Sequence, residues 1–342
     1  MSRARHRLDP DAGRRRWLAR GGALGLAGAA AAFGALVRPD ALRAAPASAD
    51  ADPSSGSAAP AAIPTRIVTM NWELTETLLA LGVVPIGVTL PDWYRSAIVE
   101  PPLPGGVADV GLLYQPNFEV LLTLKPGLLV LTPGHAPALG ILQRIAPSII
   151  LSQYMTSATP YRDLCDETGK LAARVGRPQR AVELVAEAAR TTETVRAQLA
   201  ARPARLGKPV IVADLVDDRH LRVYGRGSLF DEMLDKLGVR NAAHPHDGGP
   251  IWPTQGGYSL VPLQRLAEVP EASVLLVGPV RAPARAGLAG NAIWHALPAV
   301  RERRVAVLPV IAPYGGLVSM QRFARAVDAA LGTIEAGGGG VA

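Results

Sequence analysis

Hydrophobic and polar positions along this chain follow two rhythms, with one long helical stripe between two blocks of similar pattern. From Gln179 to Arg202 there is no Gly or Pro. Ala181, Val185, Ala188, Thr192, Val195 and Leu199 fall at alternating spacings of four and three, which keeps them on one helical face. Gly176 and Pro178 stand at its start as helix-stop and helix-start signals, and Pro203 ends it. Glu187 with Arg190 and Glu193 with Arg196 lie three apart on the remaining surface. The spacing predicts one helix over 178–202, about 37 Å long at ~1.5 Å per residue. We read it as a strut joining two lobes.

On either side, short apolar runs alternate with helical periods. Before the strut the runs are RIVTMN (66–71), VPIGVT (84–89), VADVG (107–111), LLVLTP (128–133) and SIILSQ (148–153). Helices are predicted between them over 73–81, 117–124 and 139–145, and another leads into the strut. The segment from Leu90 to Gly106, rich in Pro and aromatics, reads as a loop. After the strut come PVIVADLV (209–216), HLRVYG (220–225), VLLVGP (274–279) and RRVAVLP (303–309), with helices over 228–237, 261–268, 292–297 and 317–334. Strands alternating with helices predict mostly parallel sheets covered on both faces. The expected fold is therefore α/β: lobes at 65–175 and 206–335, each with a mostly parallel central sheet, bridged by one long α-helix. Residues 336–342 read as a flexible tail and 50–64 as a disordered linker.

Charge changes this picture only at the N-terminus. Nine Arg and three Asp lie in residues 1–49, so that segment holds +6 of the formal charge of +7 and the remainder is nearly neutral. Nucleic acid as a partner has no electrostatic support. Arg14-Arg15-Arg16-Trp17-Leu18, the apolar stretch Gly21 to Val37 and the small residues Ala47-Ser48-Ala49 read as a twin-arginine signal peptide over 1–49. That predicts an exported, soluble periplasmic protein. A single cysteine, Cys165, excludes an internal disulfide and reads as a buried, inert thiol.

Candidate chemistry clusters in loops after strands. Trp93, Tyr94, Tyr114, Trp252, Tyr258 and Tyr314, three from each half, predict an aromatic ligand wall at the carboxyl ends of the strands. Arg95 and His135 are the candidate polar contacts. His244-Pro245-His246-Asp247 is the one metal-like cluster, without a convincing fourth ligand. The chain has no G-x-S-x-G, no H-E-x-x-H and no Walker A pattern. No catalytic residue and no cofactor are expected.

RIVTMNWELTETLLALGVVPIGV, EPPLPGGVADVGLLYQPNFEVLLTLKPGLLVL, DDRHLRVYGRGSLFDEMLDKLGVRNA and PYGGLVSMQRFARAVDAAL resemble, in order, the periplasmic ferric-hydroxamate (ferrichrome-type) siderophore-binding proteins of ABC iron importers. The resemblance spans nearly all of 65–333. It implies the helical-backbone metal-chelate receptor fold, and a monomer that holds a ferric siderophore in a shallow aromatic cleft. The iron would be bound only indirectly. The siderophore would pass to an inner-membrane ABC permease, working with the energy-transducing apparatus of outer-membrane uptake. Tyr94 and Arg95 match a Tyr-Arg pair of the family's first cleft loop, Trp252 a cleft Trp and Tyr314 a cleft Tyr. Leu113 stands where the family carries a ligand-binding Arg, His135 where it carries a Tyr, and Ala312 where it carries a second Trp. These departures imply a different siderophore, with Arg95 or His135 supplying the polar contact. Glu119 matches a permease-docking carboxylate. Its second-lobe counterpart is Gln264, which leaves Glu268 as the docking acid there. A cobalamin or haem binder of the same layout, a direct Zn/Mn binder and a siderophore-processing enzyme remain as alternatives.

Overall fold

The computed structural model describes residues 63–243 and 252–341. The segment read as a signal peptide, nearly all of the segment read as a linker and the His244–Asp247 cluster lie outside the described residues.

The first sheet collects β1 (Ile67–Thr69), β2 (Gly87–Val88), β3 (Ala108–Asp109), β4 (Leu128–Leu131) and β5 (Ser148–Ile150) in the order β3-β2-β1-β4-β5, every pair parallel. Alternation along the strands covers both faces. Ile67, Leu128 and Val130 pack on one side with Leu74 and Leu78 of α1 (Trp72–Ala80) and Leu171 of α5 (Pro160–Arg174). Val68, Leu129 and Leu131 pack on the other with Leu121 of α3 (Phe118–Leu124) and Leu142 of α4 (Leu139–Ile145). Asn71 and Asn117 cap α1 and α3 through their side chains, which fixes where each helix leaves the sheet.

The second sheet holds β6 (Val210–Leu215), β7 (His220–Tyr224), β8 (Tyr258–Pro262), β9 (Ser273–Gly278) and β10 (Val305–Val310) in the order β10-β9-β6-β7-β8. β10, β9 and β6 are parallel, whereas β7 and β8 run antiparallel. Val210, Val212 and Leu275 face Phe230 of α8 (Leu229–Leu237) and Phe323 of α12 (Leu317–Glu335); the two rings stack at 4.2 Å. Ile211, Ala213, Val274 and Leu276 face the opposite cluster with Leu266 and Trp294.

Helix α6 (Pro178–Ala200, 23 residues) carries the strut expectation through. Its buried stripe begins with Ala181 in the core of the first sheet and continues through Leu184, Ala188, Val195 and Leu199 in the core of the second. One helix thus contributes to both hydrophobic cores.

Several local expectations give way. The segment read as a loop after Leu90 contains α2 (Pro91–Ala97), because Leu90 at φ 45° turns the chain and Pro91 occupies the first helical position. The predicted helix over 261–268 splits. Val261 and Pro262 complete β8 against β7, and only Leu263–Glu268 coils, as a 3-10 turn. A helix over Ala282–Ala289, α9, went unrecognised; the remaining short helices are α7 (Pro203–Leu206), α10 (Ala292–Ala296) and α11 (Pro298–Arg301). The tail expected to be flexible instead returns to the second sheet. Gly340 N–H donates to Val305 O at 2.8 Å, and a Cβ at Gly339 would collide with the Arg303 carbonyl. The glycines permit this close approach. Cys165 is half-buried, and burial pushes its thiol up to about 11.

The lobes are tied by Glu76 of α1. This fully buried carboxylate accepts from Gly316 N–H at 2.9 Å, Ser319 N–H at 2.8 Å and Ser319 Oγ at 2.7 Å, all at the start of α12. Glu76→Ala leaves those donors buried and unpaired. It should lower the free energy of unfolding by about 3 kcal/mol in urea denaturation. Glu76→Gln, which keeps an accepting oxygen, should lose about half as much. An unchanged midpoint and slope in Glu76→Ala would show that the tie carries no weight.

Candidate functional site

The segments that leave the carboxyl ends of β5 in the first sheet and β10 in the second meet at Tyr154. It follows β5 of the first sheet, and its Oη donates to Tyr314 O, after β10 of the second, at 2.6 Å. Ligand sites in open α/β sheets form at such ends.

The first wall is built on α1 and α2. Trp72, in the first turn of α1, donates its Nε1 proton to Thr89 O at 2.8 Å. That hydrogen bond fixes its ring, which stacks on Trp93 with centroids 5.5 Å apart and planes 7° from parallel. Trp93 is 52% exposed, so the outer face of the stack is open to a partner. Tyr114, 56% exposed, lies over Gly134, where any side chain would strike its ring. Leu112 extends the apolar surface beside it.

The second wall comes from the antiparallel strands. Asp214, Arg222 and Leu260 are cross-strand partners on β6, β7 and β8, so they share one face of the sheet. Arg222 lies over the Tyr258 ring, 5.0 Å from its centroid, and its Nη1 is 3.5 Å from Asp214 Oδ2. Tyr224 donates to Asp214 Oδ1 at 3.2 Å. Burial raises the Asp214 carboxyl, and the Arg222 guanidinium works against that. Leu260 is 64% exposed, an apolar side chain held out at the rim. Tyr314 donates to Gly256 O at 3.0 Å, and burial pushes its phenol up to about 12.

Of the residues expected at the site, Trp93, Tyr114, Tyr258 and Tyr314 lie on these walls; Tyr258 does so from a strand rather than a loop. Tyr94 does not. It is fully buried among Val88, Ile98 and Leu103, and donates to Pro101 O at 2.7 Å. Neighbours on a helix point ~100° apart, so α2 cannot expose Trp93 and Tyr94 together. Trp252 is also interior, at 3% exposure, packed in the outer cluster of the second sheet and donating to Glu268 Oε2 at 3.0 Å. Arg95 turns back along α2 to Asp92 at 2.9 Å.

His135 is buried with both ring nitrogens engaged. Nδ1 accepts from Thr132 N–H at 3.1 Å, and Nε2 donates to Leu113 O at 2.7 Å. Burial lowers its pKa, which keeps the ring neutral. Neither Arg95 nor His135 is therefore placed as a free polar contact. Ala312 is interior, beside Tyr94.

For the docking acids, Glu119 is exposed in the first turn of α3, whose cap is Asn117. Glu268 is engaged by Arg265 at 2.7 Å as well as by Trp252, and these partners hold its carboxyl below the usual range. Among the described residues no group of three His, Cys, Asp or Glu could hold a metal ion.

Trp72, Glu73, Asp214, Arg222, Tyr154 and Leu260 escaped the sequence reading. The pairing of Asp214 with Arg222 was available in principle, since a hairpin of 209–216 with 220–225 sets them opposite one another.

Glu73 follows Trp72 on α1. Its Oε2 is buried without a partner, and burial raises the carboxyl to about 7, with Glu76 pushing the same way. Its charge is felt by Tyr154 and Tyr314.

A description of periplasmic binding proteins matches residues 67–312. The chain is 33% identical over 269 residues to the iron(3+)-hydroxamate-binding protein FhuD of Escherichia coli, covering 79% of this chain and 88% of that one. It is 26% identical to a putative ABC transporter substrate-binding lipoprotein, YhfQ, of Bacillus subtilis, covering 71% of this chain and 75% of the other. Among solved structures, the siderophore-binding protein FhuD of Vibrio cholerae with bound Fe3+–Desferal superposes with a TM-score of 0.72 at 27% identity, covering 79% of this chain and 98% of that chain.

The raised Glu73 carboxyl makes stability depend on pH. The folded state binds this proton more tightly than the unfolded chain, so the carboxyl costs stability as pH rises from about 4.5 to about 7. Glu73→Gln should melt higher than the parent at pH 8 and equally at pH 4 by calorimetry. A difference independent of pH would contradict this assignment.

Proposed function

The chain belongs to the periplasmic binding protein family, and from that premise we propose that it captures a ferric siderophore between the carboxyl ends of its two sheets and passes it to an inner-membrane ABC permease. The observation that carries this reading is the pair of apolar and aromatic walls meeting at Tyr154 and Tyr314. Exposed Trp93, Tyr114 and Leu260 have no fold-stabilising reason to be so open. The relatives are named as binding proteins for iron chelates, and the proposed role uses only binding.

In this reading the organic shell of the siderophore rests on the Trp72–Trp93 stack and on Leu260, while iron stays coordinated by the siderophore itself. The lobes 65–175 and 206–335 form the two jaws and the signal peptide over 1–49 takes the chain to the periplasm by the twin-arginine route. Glu119 offers a free carboxylate to basic permease residues. The second-lobe acid is less available, because Glu268 is already paired with Arg265.

Tryptophan fluorescence tests this directly. Titration with a panel of ferric siderophores (hydroxamate, catecholate and carboxylate) should quench emission with at least one class. Trp93→Ala should weaken that binding about tenfold, the loss of roughly 1.4 kcal/mol of aromatic contact. Absence of quenching by every class, with haem or cobalamin quenching instead, would replace the siderophore reading by a macrocycle-binding one.

A further inference from the structure

Among the described residues four buried side-chain polar atoms have no hydrogen-bond partner: the hydroxyls of Thr89 and Ser152, and two atoms of charged groups in the candidate site, which are of opposite kind. Glu73 Oε2, on the first wall, is a buried acceptor without a donor. Arg222 Nε, on the second, is a buried donor without an acceptor. Buried polar groups are paired in the large majority of cases, so two orphans in one site call for an explanation. They do not satisfy each other. The groups acting on Arg222 are Asp214, Tyr224 and Tyr258, and those acting on Glu73 are Asn71 and Glu76. Both nevertheless act on Tyr314, the residue at which the two walls meet.

The surrounding residues set what each orphan can take. Arg222 is held flat by the Tyr258 ring and at one end by Asp214, so its Nε–H is fixed in direction rather than free to swing. It can donate to an oxygen of a chelate lying across Leu260. On the first wall the cation that lies near the tryptophan stack, Arg95, is paired with Asp92 at 2.9 Å, Leu113 has no charge, and the His135 ring is neutral and spent on Leu113 O. The charged group that this wall leaves with an unpartnered oxygen, next to Trp72 in sequence, is the acid Glu73.

We propose that the site is polar across its width: Arg222 donates to oxygens of the ferric chelate, and Glu73 accepts from a protonated amine on the chelate's outer arm. Among ferric hydroxamates, the class named for the Escherichia coli relative, the favoured ligand is then one that carries an ammonium group, in preference to a neutral or anionic one. This rests on the siderophore-binding reading above and narrows it to a chemical class.

The test compares ferric desferrioxamine B, a linear trihydroxamate ending in a primary amine, with its N-acetyl derivative, which has the same iron shell and no charge. Binding is read by fluorescence quenching at pH 7.5. The parent protein should bind the amine form about tenfold more tightly, as expected for one hydrogen bond between charged groups. Glu73→Gln should bind both forms equally, and Arg222→Met should weaken both about tenfold while keeping the preference. Circular dichroism of each variant checks its fold, and the comparison in the parent needs no variant. Equal binding of the two forms by the parent overturns the proposal, as does a preference that survives Glu73→Gln. Binding only of catecholate or carboxylate chelates also overturns it while leaving siderophore capture in place. Binding of no ferric chelate at all overturns both.

Discussion

The arrangement depends on one buried carboxylate. Glu76 leaves the first lobe on α1 and closes on the N-terminus of α12 in the second, where free backbone N–H groups and the positive end of the helix dipole favour an anion. Desolvation raises its pKa, and the donors from Gly316 and Ser319 oppose that rise. Gly315 and Gly316 are required by this contact. A Cβ on Gly315 would overlap the Ser319 side chain, and one on Gly316 would come within 3.0 Å of Glu76 Oε1. Nearby, Arg322 of α12 donates to Ile98 O at 3.0 Å and pairs with Glu100 at 3.4 Å, which adds a more exposed tie between the same lobes.

From that tie the site geometry follows. α1 carries Trp72 and Glu73 one turn before Glu76, and the segment entering α12 carries Tyr314. Fixing Glu76 to Gly316 therefore fixes the first wall against the second. Helix α6 sets the same spacing at the back, with Ala181 in one core and Leu199 in the other. Arg180 Nε–H adds a hydrogen bond to Ala80 O, at the far end of α1, at 3.1 Å. Without Gly or Pro inside it, α6 has no ready point of bending. Front and back restraints together leave little freedom for a wide hinge, so in the proposed role ligand fit would fall to exposed side chains: Trp93, Tyr114 and Leu260.

How far the sequence could be read follows from which rules are local. The α6 stripe and the apolar strands depend on spacing along the chain, and each lies where that spacing puts it, the strands of the first sheet being shorter than their apolar runs. The errors arose where a partner distant in sequence decides. Trp93 and Tyr94 look equivalent as a pair, but helical geometry in α2 sends the second into the core against Val88 and Leu103. Tyr258 to Pro262 has too few apolar residues to announce a strand, yet pairing with β7 makes it one. Trp252 is claimed by Glu268 and the outer core, and the glycine tail by the outer edge of β10. Glu76 shows nothing in sequence beyond a helical acid; its role exists only once α12 arrives.

The departures at Leu113 and His135 form a single event in the structure. The His135 ring reaches across to the Leu113 carbonyl, so the two positions close on each other and take hydrogen-bonding capacity away from the first wall. A site that still has to grip an oxygen-rich chelate must recover a donor elsewhere. In the proposed site the second wall supplies one in Arg222, an always-charged group that Tyr258 and Asp214 hold in place. On the first wall the cation Arg95 is spent on Asp92, which leaves Glu73, beside Trp72, with the unpartnered charged oxygen there. Glu73 and Arg222 thus give the proposed site opposite charges on its two walls, with the donor on the second.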